Sequence, residues 1–93
     1  MIVGVLTLEI AIESAYSLKD KRAVLNRIRD RVRNTFNVAI AEVDENEVWN
    51  HACLGVVTIS NDQRHANEML SKVVEFVEKI RDCELDDYSI DFF

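Results

Sequence analysis

The sequence predicts an α+β sandwich, a four-stranded antiparallel sheet with two helices on one face. Three observations predict it. Four segments read as strands and two as amphipathic helices, in the order β-α-β-β-α-β. The middle two strands are separated only by a short polar turn, as in a hairpin. The chain has no Pro and only 2 Gly in 93 residues, which leaves little length for loops.

Ile2 to Ile12 alternates with period two. Ile2, Gly4, Leu6, Leu8, Ile10 and Ile12 share one face, and Val3, Val5, Thr7, Glu9 and Ala11 the other. Ser17 then reads as an N-cap with Asp20 at N3, close to a capping box. Val24, Leu25, Ile28, Val32 and Phe36 recur at helical spacing, so the first helix runs to about Thr35. "NVAIAEVD", Asn37 to Asp44, is a second strand, "ENEV" a turn, and Trp49 to Ser60 a third strand. Ser60 and Gln63 fit a capping box for the second helix, with Asp62 as an alternative cap. The stripe of that helix is Ala66, Met69, Leu70, Val73, Phe76, Val77 and Ile80. Leu85 to Phe93 alternates again. Tyr88, Ile90 and Phe92 lie on one face and acids on the other, as on an edge strand.

This order is that of the split βαβ, or ferredoxin-like, sandwich, with sheet order 4-1-3-2 and right-handed crossovers, in one domain over residues 1–93. The topology carries a spatial expectation. The start of the first helix meets the strand 2–3 hairpin at one end of the domain, and the start of the second helix lies at the other. "YSLKDKR", Tyr16 to Arg22, should therefore lie near Glu42, Asp44, Trp49 and His51.

Composition narrows the function classes. A hydrophobic fraction of 48% and a charged fraction of 30% are those of a globular chain with a core. No apolar run approaches membrane-spanning length, and the apolar start lacks a basic leader, so it reads as a strand rather than a signal peptide. Cys53 and Cys83 show no framework spacing, which predicts free thiols and a reducing, cytoplasmic compartment. Two separated cysteines cannot ligate an iron–sulfur cluster. A net charge of −6 argues against a general nucleic-acid coat, yet the charge is uneven. Seven of the eleven cations lie between Lys19 and Arg33, while Asp82 to Asp91 holds five acids and no cation.

Five constellations are candidates for function. Lys19, Arg22, Asn26, Arg29 and Arg33 fall within roughly 80° of arc on the first helix. Such a stripe fits phosphates along an RNA backbone, or it is the solvated face of an amphipathic helix. No aromatic is interleaved in it, so base stacking by this helix is not expected. Lys21 falls in the apolar arc instead. It is a further polyanion candidate or a structural lysine that snorkels or pairs with Glu42 or Asp44. His51 and Cys53 share one face of the third strand. They are two metal ligands where a tetrahedral site needs four, and a Cys–His pair with nothing to orient the base, or simply a buried thiol and a hairpin histidine. Ser60, Asn61 and Asp62 cap the second helix, or its N-terminus holds an anion. Val3, Val5, Thr7 and Ala11 line a sheet face that the helices leave open. Self-association is the simplest cover for it, and a protein partner is the other. No catalytic residue, cofactor, metal site, membrane contact or small-molecule substrate is predicted.

The combination "YSLKDKR", "FNVAIAEVDENEVW", "LGVVTISND" and "HANEML" resembles the YlxP-like family, a bacterial domain-of-unknown-function family numbered 503. The resemblance covers nearly the whole chain in order. It implies a small cytosolic bacterial protein with a ferredoxin-like fold and no catalytic residues to carry over. Genes of the family often neighbour those for translation initiation factors and ribosome-binding factor A, which implies ribosome or RNA association. "SLKDKR" and "SND" match the recurring motifs and mark Ser17, Lys19, Lys21, Arg22, Asn61 and Asp62 as motif residues without assigned roles. The expected function is a non-enzymatic accessory factor that associates with rRNA or the ribosome. The rival is a homo-oligomeric interaction module that uses the open sheet.

Overall fold

A computed structural model describes all residues from Met1 to Phe93. Its elements are β1 (Ile2–Ala11), α1 (Leu18–Thr35), β2 (Ala39–Asp44), β3 (His51–Ser60), α2 (Gln63–Glu78) and β4 (Glu84–Phe92). The sheet order is β2-β3-β1-β4, the predicted 4-1-3-2 read from the other edge, and every pairing is antiparallel. This is the ferredoxin-like βαββαβ pattern.

The alternation in β1 decides which face is covered. Leu6, Leu8, Ile10 and Ile12 are fully buried and form one core with Val24, Leu25, Ile28 and Val32 of α1 and Leu70, Val73, Val74 and Val77 of α2. Both helices therefore lie on the same sheet face. Burying each such side chain is worth about 1.5–3 kcal/mol, so this cluster holds the fold. α2 approaches β1 so closely that a Cβ on Gly4 would sit 2.9 Å from Leu70 Cδ1.

The helix starts show local chemistry at work. Ser17 Oγ accepts the Asp20 N–H at 3.1 Å, as predicted. The Asp20 carboxylate returns to the Tyr16 N–H, one residue earlier than a capping box requires. For α2 the Ser60–Gln63 box does not form. β3 runs through Ser60, whose Oγ accepts the Asp62 N–H, and Asp62 is the cap, accepting from the Arg64 N–H at 2.9 Å.

Three strands are shorter than predicted, β1 by one residue at its end, since it stops at Ala11. β2 begins at Ala39, because Val38 N–H bonds back to Phe36 C=O and the Asn37 C=O is taken by the Thr58 hydroxyl. β3 begins at His51, because Trp49 and Asn50 belong to the hairpin loop, where Asn50 C=O accepts the Ile12 N–H. The pairing register shifts between Glu42 and Asp44, which throws Val43 out as a bulge, and between Glu9 and Ile10 opposite β4, where Asp86 is the extra residue.

Candidate functional site

The hairpin end of the domain is organised by one side chain. Helical periodicity places Lys21 among Val24, Leu25 and Ile28, and its side chain is 1% exposed. A buried ammonium needs acceptors and a counter-charge, and it has both. Nζ donates to the Glu45 and Val48 carbonyls at 2.8 and 2.5 Å and lies 2.7 Å from Glu42 Oε2. The Glu42 carboxylate, one-fifth exposed, neutralises the charge. The expected Lys21–Glu42 pairing is thus present, and Lys21 is corrected out of the polyanion set. Its donors are spent inside the protein.

This clamp fixes the β2–β3 loop. Glu45 takes a positive φ of 62° at the turn, its N–H bonds Asp44 Oδ1, and Val48 N–H bonds the Glu45 carbonyl. The carbonyls on either side of Trp49 are both anchored, Val48 by Lys21 and Asn50 by Ile12. Trp49 then meets Tyr16, with ring centroids 6.2 Å apart and planes tilted by 35°. The predicted meeting of "YSLKDKR" with the hairpin is present at Glu42 and Trp49, and it sets the Tyr16 ring against that of Trp49.

The outer cations of α1 differ in how they are engaged. Arg27 binds Asp82 at 3.1 Å and Arg31 stacks on Phe76 of α2, so that flank of α1 faces α2. The stripe of Lys19, Arg22, Asn26, Arg29 and Arg33 lies on the flank away from it. Arg33 pairs with Asp30 at 3.2 Å, an exposed pair worth well under 1 kcal/mol. Arg29 is half-buried and donates to Asn26 Oδ1, while its Nε is enclosed without a partner. Lys19 and Arg22 are exposed, and with Arg29 they form no ion pair.

The remaining candidates sort by position. His51 Nδ1 contacts the Glu45 carboxylate, and Nε2 lies 3.4 Å from Asp86 Oδ2, a contact made by the β4 bulge. The nearly buried Cys53 thiol has its pKa raised by burial first and then by Glu9, Asp44, Glu45 and Glu42. Burial and then Asp82 raise the Cys83 thiol too. Such thiols stay protonated and are poor nucleophiles near neutrality. No group of three or more His, Cys, Asp or Glu side chains could hold a metal ion. Ser17 and Asp62 act as helix caps, and Asn61 is exposed beside the second cap.

The open sheet face is divided. Val3, Val5 and Thr7 of β1 stand beside Ile59, Val57 and Gly55 of β3. With Val43 and Ala41 of β2 they form an apolar half containing a shallow depression of about 280 Å³. Ala11 is at the other end, between His51 and Glu84, and does not join that patch. Glu9, Asp44 and Asp87 make the second half acidic.

The sequence signal for the missed aromatic pair was present. Tyr16 precedes the first helix and Trp49 stands at the predicted start of the third strand, two places that the topology brings together.

A model for a protein family of unknown function, DUF503, matches residues 3–90. The chain is similar to the uncharacterized protein YlxP of Bacillus subtilis (strain 168). The two are 35% identical over 82 residues, which cover 88% of this chain and 89% of that protein. No helix is long and apolar enough to cross a membrane.

Proposed function

The chain belongs to the DUF503 family, and we propose that it is an accessory protein that binds RNA, free or in the ribosome, through the outer flank of α1, without catalysis. One observation carries this reading. In a chain of net charge −6, Lys19, Arg22 and Arg29 form no ion pair while lying on one helix flank. Phosphates need mobile or multivalent cationic donors in a row, and this flank supplies them. The acids of the neighbouring hairpin are partly occupied, Glu42 by Lys21 and Glu45 by His51, which lowers their opposition to an approaching polyanion.

The test is charge reversal. Lys19→Glu with Arg22→Glu places acids in the first turns of α1, where the helix dipole tolerates them, so the fold should persist. Binding of a fluorescent ribosomal RNA fragment at low salt is expected to be lost. Binding unchanged by the reversal would contradict the proposal.

A second reading rests on a different observation. Val43, Val57 and Ile59 are exposed on the apolar half of the open sheet. A second copy seated there would cover them, which makes a homodimer the alternative function of that face. It is tested by solution mass.

A further inference from the structure

We infer that the Tyr16–Trp49 pair is a stacking platform for an unpaired RNA base whose phosphates run onto Lys19 and Arg22. The inference rests on the RNA reading above and adds a ligand class to it, single-stranded rather than duplex RNA. The two rings touch each other, yet their contact does not bury them. Tyr16 remains 79% exposed and Trp49 43% exposed. A contact made only to hide apolar surface would leave less of either ring in water.

Both rings are held on fixed backbone. Trp49 sits between the anchored carbonyls of Val48 and Asn50. Tyr16 sits between buried Ala15, whose N–H bonds Ile12 C=O, and the cap Ser17, and its own N–H is held by Asp20. A platform fixed in advance loses little entropy when a base arrives. The pair also stands at the head of the cationic flank. Tyr16 directly precedes the cap Ser17, and Lys19 and Arg22 follow in the first turns of α1. Aromatic faces beside cations are what a sequence-tolerant single-strand site needs, because every base offers a π-face and every nucleotide a phosphate. In an A-form duplex the bases are stacked on one another, so such a platform has nothing to take.

Trp49 is the sole tryptophan, so its emission reports this site directly. The probes are a short fluorescein-labelled oligoadenylate, an abasic oligonucleotide of the same length and a duplex RNA, each titrated against the full chain at low salt. The expected result is quenching of Trp49 by the oligoadenylate alone. Tyr16→Ala or Trp49→Leu should weaken oligoadenylate binding by about ten-fold, the size of one base stack, and leave its salt dependence unchanged. Tyr16→Phe should bind like the parent. Both side chains are exposed, so far-UV circular dichroism should match the parent for every variant. Three results would overturn the platform while leaving the RNA reading intact. These are oligoadenylate binding that Lys19→Glu/Arg22→Glu abolishes without any change in Trp49 emission, equal binding of abasic and adenylate strands, or an unaltered affinity in Tyr16→Ala. Absence of RNA binding by anisotropy at low salt would instead remove the RNA reading, and the platform with it.

Discussion

Replacing Lys21 by Met keeps the aliphatic stem that fills the space beneath α1 and deletes the ammonium. Two carbonyls lose their donor and one carboxylate its counter-ion. Glu42 Oε2, the Glu45 carbonyl and the Val48 carbonyl lie 2.7, 2.8 and 2.5 Å from Nζ. Breaking a buried pair by removing one partner costs about 3–5 kcal/mol. Glu42 is one-fifth exposed and can recover some hydration, so the lower end, about 3 kcal/mol, is expected here. For a domain of this size about 1 kcal/mol corresponds to roughly 4–8 °C, so the melting temperature should fall by about 12–24 °C. Lys21→Met with Glu42→Leu removes the stranded carboxylate and should recover about 1–2 kcal/mol of that loss, leaving the two carbonyls unmet. Urea unfolding followed by far-UV circular dichroism and by Trp49 emission measures both effects, and the Trp49 signal should also broaden below the main transition as the loop loosens. A loss under about 1 kcal/mol for Lys21→Met, or no coupling between Lys21 and Glu42 in the double-mutant cycle, would refute the clamp.

Gly4→Ala forces a methyl to within 2.9 Å of Leu70 Cδ1, and Leu70 is fully buried, so a loss of about 1–3 kcal/mol is expected in urea unfolding. Gly55→Ala meets Val43 Cγ1 at the same 2.9 Å, but Val43 is 59% exposed on a bulge and can turn away, so the loss there should stay below about 1 kcal/mol. Equal losses would contradict this account of the two glycines. Native Cys53 and Cys83 should react with iodoacetamide more slowly than in the urea-unfolded chain, because both thiol pKa values are raised in the fold. The unfolded thiols therefore ionise first, and these groups should withdraw stability as pH rises past the ordinary thiol value of 9.0, not as it falls. Equal reaction rates at about pH 8 to 9, close to the ordinary thiol pKa, would contradict the raised values. If the open sheet seats a second copy, light scattering of the parent should give about twice the 10.7 kDa chain mass and Val57→Lys should return it to the monomer, whereas a monomeric parent excludes that second reading.

What the sequence makes legible follows from periodicity. The buried face of β1, the core stripe of α1 and the sheet order come from repeats of two and 3.6 residues that tolerate little ambiguity. Lys21 is readable for the same reason, since a cation inside an apolar arc must find acceptors and the topology puts Glu42 within reach. Local competition is less legible. Ser60 and Asp62 are both able caps, and the choice falls to Asp62 only because β3 extends through Ser60. The bulges at Val43 and Asp86 are hidden, because "AIAEVD" offers apolar residues on both faces and "LDDYS" offers two acids in succession. Those bulges turn Val43 over Gly55 and bring Asp86 to His51. The Tyr16–Trp49 contact has no periodic signature at all, and arises from the meeting of two loops far apart in sequence.

The proposed RNA binding by the outer flank of α1 rests on charge. The most direct measurement is the salt dependence of binding to a single-stranded ribosomal RNA fragment, followed by fluorescence anisotropy. With about three phosphates neutralised by Lys19, Arg22 and Arg29, the logarithm of the association constant should fall with the logarithm of salt at a slope of roughly −2. Lys19→Glu/Arg22→Glu should flatten that slope or abolish binding. No binding at low salt, or a slope that the charge reversal leaves unchanged, would contradict it.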